Sequence, residues 1–170
     1  TAQLVVIDTV DVAALTTAQI AALSSSAVAA LTDTSTGQVA ALTSAQAAAL
    51  SSAAVSGLST AQIARLSSAQ LNALSATQLN AMSSAQLRAI ETADVAALTT
   101  AQVVKFDTSA ISELSTAQIV AMGSAQFAAL TAAQLKALST AQLVVIDTVD
   151  VAALTTAQIA ALSSSAAAAL

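Results

Sequence analysis

Six of the nine acidic residues stand in pairs three positions apart: Asp8 with Asp11, Glu91 with Asp94, and Asp147 with Asp150. They are the side chains best placed to do chemistry. Carboxylates three apart share one helix face and could supply oxygens to calcium, a hard ion that takes about six to eight such ligands. Two carboxylates are too few for a dedicated site, and no run rich in glycine and aspartate accompanies them. The same spacing is also that of a helix N-cap and its N3 residue, where a carboxylate meets the positive end of the helix. Capping is therefore the leading reading of the pairs, and calcium the lesser one.

Other chemistry is poorly served. With no histidine and no cysteine, the commonest general base, the thiol nucleophile and the soft metal ligands are missing. We expect no enzyme activity, no catalytic residues and no cofactor. Arg65, Arg88, Lys105 and Lys136 are the only cations against nine acids, a net charge of −5. That sign and number do not suit a phosphate backbone, so nucleic acid is not an expected partner. Mean hydropathy is +0.81, yet Ser, Thr or Gln interrupts every apolar run far short of the roughly 20 residues of a membrane span. Absence of cysteine excludes a disulfide framework without fixing a compartment. Thr1 opens neither a signal peptide nor an initiator methionine, which fits an excerpt from something longer.

The elements behind these residues are set by a repeat. Counted from Thr1, the chain divides into 21 octads of consensus [ST]-A-Q-h-x-A-L-[ST], where h is aliphatic, with one insertion of three residues at Asp33, Thr34 and Ser35. We read residues 1–170 as one array. Residues 1–31 recur as 140–170 with Val28 replaced by Ala167. A cassette thus spans 1–139, and the next begins at 140. The insertion, followed by Gly37, reads as a local loop that could mark a bend or a partner site.

Ala, Leu and Gln favour helix, but one continuous helix does not fit. Eight residues turn an ideal helix by about 800°, so an apolar stripe would drift around the axis. Position eight supplies the reset: of 20 complete octads it is Ser or Thr in fifteen, Asp in three, Glu at Glu91 and Gly at Gly123. Three residues on stands Gln in fourteen of the 21 units and Asp in three, which is the capping-box spacing. Each unit then forms a helix of about six residues, well below the roughly 12–15 that are marginal alone. Stability must come from stacking. Position seven is large and apolar in every unit, and position four is so in all but Ala47 and Ala167. The alanines at positions two and six would let neighbours approach closely. The expected fold is all-α, a solenoid or superhelix of very short helices, one per octad. A β-solenoid is the alternative for octads containing Val and Thr. The glutamine rank is expected to cap, with an exposed amide ladder that binds a ligand as the other reading. Ranks of Ser and Thr also suggest ice binding, unless the caps consume their hydroxyls.

The runs LTTAQIAAL (15–23), LSTAQIARL (58–66) and LSTAQLVVI (138–146) resemble the Leu-Thr-Thr-Ala-Gln-rich repeats of very large bacterial secreted or cell-surface, adhesin-like proteins. The resemblance implies an extracellular or cell-surface setting, with this segment as a stalk or spacer. No site residues carry over from it. The expected partners are neighbouring repeats of the same chain and, beyond them, a surface, a glycan or a protein ligand. The rival function is a ligand- or ice-binding repeat module.

Overall fold

The computed structural model describes residues 7–34, 36–168 and 170, without the side chain of Ser165. The first six residues of the opening octad and Ser35 of the insertion therefore lie outside the described residues.

Among the described residues there are twenty helices of four to six residues and no strand. They fall into two compact units, Thr1–Ile90 and Glu91–Leu170. The first holds α1 (Thr9–Ala14), α2 (Thr17–Ala21), α3 (Ser25–Ala29), α4 (Gln38–Ala41), α5 (Ser44–Ala49), α6 (Ser52–Gly57), α7 (Thr60–Ile63), α8 (Ser68–Ala73), α9 (Ala76–Leu79) and α10 (Ser84–Ala89). The second holds α11 (Thr92–Ala96), α12 (Thr100–Val103), α13 (Thr108–Ser112), α14 (Thr116–Ala121), α15 (Ser124–Ala129), α16 (Ala132–Ala137), α17 (Thr140–Leu143), α18 (Thr148–Ala152), α19 (Thr156–Ala161) and α20 (Ser164–Ala167).

The phase is reset by two extended residues at the end of each octad. In α8, Leu74 leaves the helix at φ −65°, ψ 143° and its N–H bonds the Leu71 carbonyl; Ser75 then opens α9 at φ −75°, ψ 163°. No described residue has positive φ. The corners are made by the β region, which any residue adopts, so an array with no proline and three glycines can turn at every octad.

In each unit, helices three apart in sequence pack together: α1 with α4, α2 with α5, α3 with α6, α5 with α8, α6 with α9 and α7 with α10 in the first, and α11 with α14 onward to α16 with α19 in the second. Each unit is thus an all-α solenoid. Positions four and seven form its core, as in Leu71, Leu74, Leu79 and Met82, or Phe127, Leu130, Leu135 and Leu138. Each fully buried Leu contributes on the order of 2 kcal/mol relative to exposure, which supplies what a two-turn helix lacks.

The alanines behave differently from the expectation at one position. Ala49, Ala73 and Ala89 at position six are partly covered, but Ala45, Ala69 and Ala85 at position two are exposed. Position two falls in the first turn on the side away from the stack, so its small size has no packing role there. Close approach does occur at position six of α6: a Cβ on Gly57 would lie 2.7 Å from Ser25 Cβ.

Candidate functional site

The chemistry-capable groups of the repeat converge on the helix starts, where the serine or threonine of position eight faces the glutamine of position three. Ser67 Oγ accepts the Gln70 backbone N–H at 3.3 Å, and Gln70 Oε1 accepts the Ser67 N–H at 2.6 Å. The same reciprocal box closes on α2, α5, α7, α8, α9, α10, α14, α16, α17 and α19. The capping role read from the spacing is what the structure places there.

A second role of the glutamine is not written in that spacing. Gln70 Nε2 donates to the Leu42 carbonyl at 2.6 Å and to the Val39 carbonyl at 3.1 Å, 28 and 31 residues back. Gln78 reaches Leu50 and Ala47, and Gln86 reaches Leu58 and Val55. In the other unit Gln126 reaches Leu98, Gln134 reaches Phe106, Gln142 reaches Leu114 and Gln158 reaches Leu130, each at 2.7 Å. These carbonyls lie at the C-terminal end of the helix four places earlier; those of Val39, Ala47 and Val55 also accept the N–H of Leu42, Leu50 and Leu58. Within each unit helices pack on the third helix back and bond the end of the fourth, so a superhelical turn there lies between three and four helices. The amides that do this are buried, Gln70 and Gln142 both at 2% exposed. One side chain thus starts its own helix and ends another. The reading of the glutamines as an exposed, ligand-binding ladder is overturned by this burial from Gln38 onward, while Gln19 is exposed. One sequence signal did point to the amide: a capping box accepts Glu or Gln, yet Glu never stands at position three.

The insertion is absorbed without loss of this geometry. Thr32 N–H donates to Gln38 Oε1 at 3.0 Å, and Thr32 Oγ1 accepts the Gln38 N–H at 2.8 Å across six residues instead of three. The Val39 N–H bonds the Thr32 carbonyl, and Gly37 N–H bonds that of Thr34. Thr32 thus takes the cap's part for Gln38, with Asp33 and Thr34 set outside the pair. The loop presses Gly37 so close that a Cβ there would lie 2.8 Å from the Thr32 carbonyl oxygen. Glycine is needed for space, not for its dihedral freedom.

The acid pairs sit at helix starts, as their spacing implied. Asp8 Oδ1 accepts the Asp11 N–H and Asp147 Oδ1 the Asp150 N–H, both at 2.9 Å. Glu91 precedes α11 but makes no side-chain cap bond, and Asp94 stands in that helix's first turn. Asp150, 8% exposed, also accepts from Ser124 Oγ at 2.6 Å. Asp107, a cap that is not part of a pair, accepts the Ala110 N–H and the Ser109 hydroxyl. No group of three or more His, Cys, Asp or Glu among the described residues could hold a metal ion. Arg65, Arg88 and Lys136 are exposed and Lys105 is half-buried, on separate helices or connections. No helix among the described residues is long and apolar enough to cross a membrane.

No curated protein and no solved structure was found to match the chain. The family model of the ALTTAQ repeat matches residues 1–34, 48–76, 76–108, 87–124, 105–140 and 119–148. These matches cover well over half the sequence, and the octads they span are those whose caps and glutamines build the ladder: the chain belongs to the ALTTAQ repeat family.

Proposed function

We propose that this array is a non-catalytic spacer in a large bacterial secreted or cell-surface protein, with a repetitive outer face that can serve adhesion. The observation that carries this reading is the use made of the polar groups. The hydroxyls of position eight cap helices and the twelve glutamines from Gln38 to Gln158 are buried in the stack, so the residues that recur most faithfully serve the repeat itself. Variable residues such as Arg88 and Lys136 are exposed, and Asn72, Asn80, Lys105 and Glu113 are half-buried. Units that contact only near neighbours give a module whose reach is set by copy number. Small-angle scattering from chains carrying one and two copies of residues 1–139 tests this. The maximum dimension is expected to rise in proportion to copy number, and a two-copy chain no longer than the one-copy chain defeats the spacer reading. Antibody labelling of intact against permeabilised bacterial cells tests the location.

A second reading has one observation in its favour. The caps consume the hydroxyls of position eight but not the rank at position one, where Thr17, Thr60, Thr92, Thr100, Thr116, Thr140 and Thr156 are exposed beside the exposed position-two alanines. A hydroxyl and methyl rank of that kind is what an ice-binding face uses. Thermal hysteresis in a freezing assay supports that reading, and its absence removes it.

A further inference from the structure

The glutamine rungs on either side of Asp150 fix what this residue faces. Gln142 Nε2 donates to the Leu114 carbonyl and Gln158 Nε2 to that of Leu130, each 28 residues back at 2.7 Å. Asp150 holds position three of the octad between them, on α18, which packs on α15 as α17 does on α14 and α19 on α16. The same interval sets the Met122 carbonyl, at the C-terminal end of α14, opposite the Asp150 carboxylate. Every neighbouring rung places an N–H donor there, and a carboxylate has none.

The chain itself does not relieve this mismatch. Among the described residues no hydrogen bond is made to the Met122 carbonyl. The Asp150 carboxylate accepts from the Ser124 hydroxyl at 2.6 Å, but it does not close a capping box with Asp147 as the glutamines do with their caps. It is also deeply covered, at 8% exposure. Lys136, the cation nearest to it in sequence, is exposed on α16 and is not its partner. A carboxylate buried to this degree is costly unless it is paired or coordinates a cation.

We infer that the Asp150 carboxylate, the Ser124 hydroxyl and the Met122 carbonyl bind a monovalent alkali cation, which takes the place of the missing amide N–H. All three are hard oxygen ligands and suit a hard ion. The charge count sets the valence, because one carboxylate balances one positive charge and a divalent ion would leave an excess charge inside the stack. The site is distinct from a calcium site on the carboxylate pair, since Asp147 Oδ1 is engaged with the Asp150 N–H. Asp11 and Asp150 hold the same place in successive cassettes, so a longer array would repeat the site once per cassette.

Amide hydrogen exchange at Met122 and Val151 in the full chain tests this, as sodium chloride replaces N-methylglucamine chloride at constant ionic strength. Exchange at both amides is expected to slow several-fold, because an ion that binds only the folded stack stabilises it by mass action. In Asp150→Gln, which restores the amide of the neighbouring rungs, the two amides are expected to be protected in either salt, with no response to sodium. Ser124→Ala, which keeps the carboxylate, is expected to respond less than the native chain. Equal exchange of the native chain in the two salts overturns the site. A sodium response that persists in Asp150→Gln overturns it as well, since it marks a general salt effect. Calcium chloride that protects at a lower concentration than sodium chloride overturns the choice of a monovalent ion.

Discussion

Gln70 concentrates the logic of the chain in one amide, because its oxygen serves the Ser67 N–H and its nitrogen serves the Leu42 and Val39 carbonyls. Removing it strips the Ser67 N–H and the Leu42 carbonyl of these partners, while the Val39 carbonyl keeps the Leu42 N–H; a group left buried and unsatisfied costs on the order of 1–3 kcal/mol. Gln70→Ala is therefore expected to destabilise by about 2 kcal/mol or more, read from the urea midpoint. Gln70→Glu is the sharper change, since it keeps the shape and the cap but aims a carboxylate at the Leu42 carbonyl. Burial there raises the folded-state pKa of the new acid. The variant should be most stable below the ordinary glutamate range of about 4 and lose stability as pH rises through the raised value. A melting temperature that is flat from acid to neutral pH would contradict the buried ladder. Glycines give the converse pair. Gly37→Ala forces a Cβ to within 2.8 Å of the backbone oxygen of Thr32, whereas a Cβ at Gly123 meets nothing within 4 Å. Gly37→Ala should lower the melting temperature. Gly123→Ser, which completes the cap of α15, should gain a few tenths of a kcal/mol. The cap half of each glutamine was legible because both partners lie three residues apart. The amide half was not, because its acceptors depend on a superhelical pitch that no spacing within one octad encodes.

At the level of the element, no helix here could stand alone, and those within the stack exist because positions four and seven are covered from the neighbouring layer. Leu74→Asp puts a charge into that layer without a partner and should unfold the surrounding helices, while Ala85→Asp, in the exposed first turn of α10, should be neutral or slightly favourable. Circular dichroism melts of the two variants decide this, and equal tolerance would mean the faces are misassigned. Helix existence, the caps and the two core positions could all be read from Leu, Gln and Ser in register. Ala85 and the other position-two alanines could not, because a small residue suits both a tight contact and an empty surface. The insertion was legible as a loop but not as one that keeps its cap. Because Thr32 already pairs with Gln38, deleting residues 33–35 only returns that pair to the ordinary spacing. The deletion is expected to leave the melting temperature unchanged or raised, since shortening a loop costs little, and a large loss would show that the loop itself supports α4.

Across the whole chain, coupling is confined to near layers, and long-range order is built from many copies of one short-range contact. Ending the chain after Leu138 should leave hydrogen exchange at Ile20 and Val55 unaltered, because the helices that cover them lie in the first unit. A drop in protection there would show cooperativity well beyond the third neighbour. Function was the least legible level, since the residues that recur, such as Ser67, Gln70 and Leu74, are spent on the fold. The fixed reach of the glutamine, to the leucine-type carbonyl 28 residues behind it, also bears on heredity. If recombination between misaligned copies removes or adds eight codons, each rung finds an equivalent acceptor at the same distance. A gene of this kind can change its repeat number between generations without the polypeptide having to find a new way to fold.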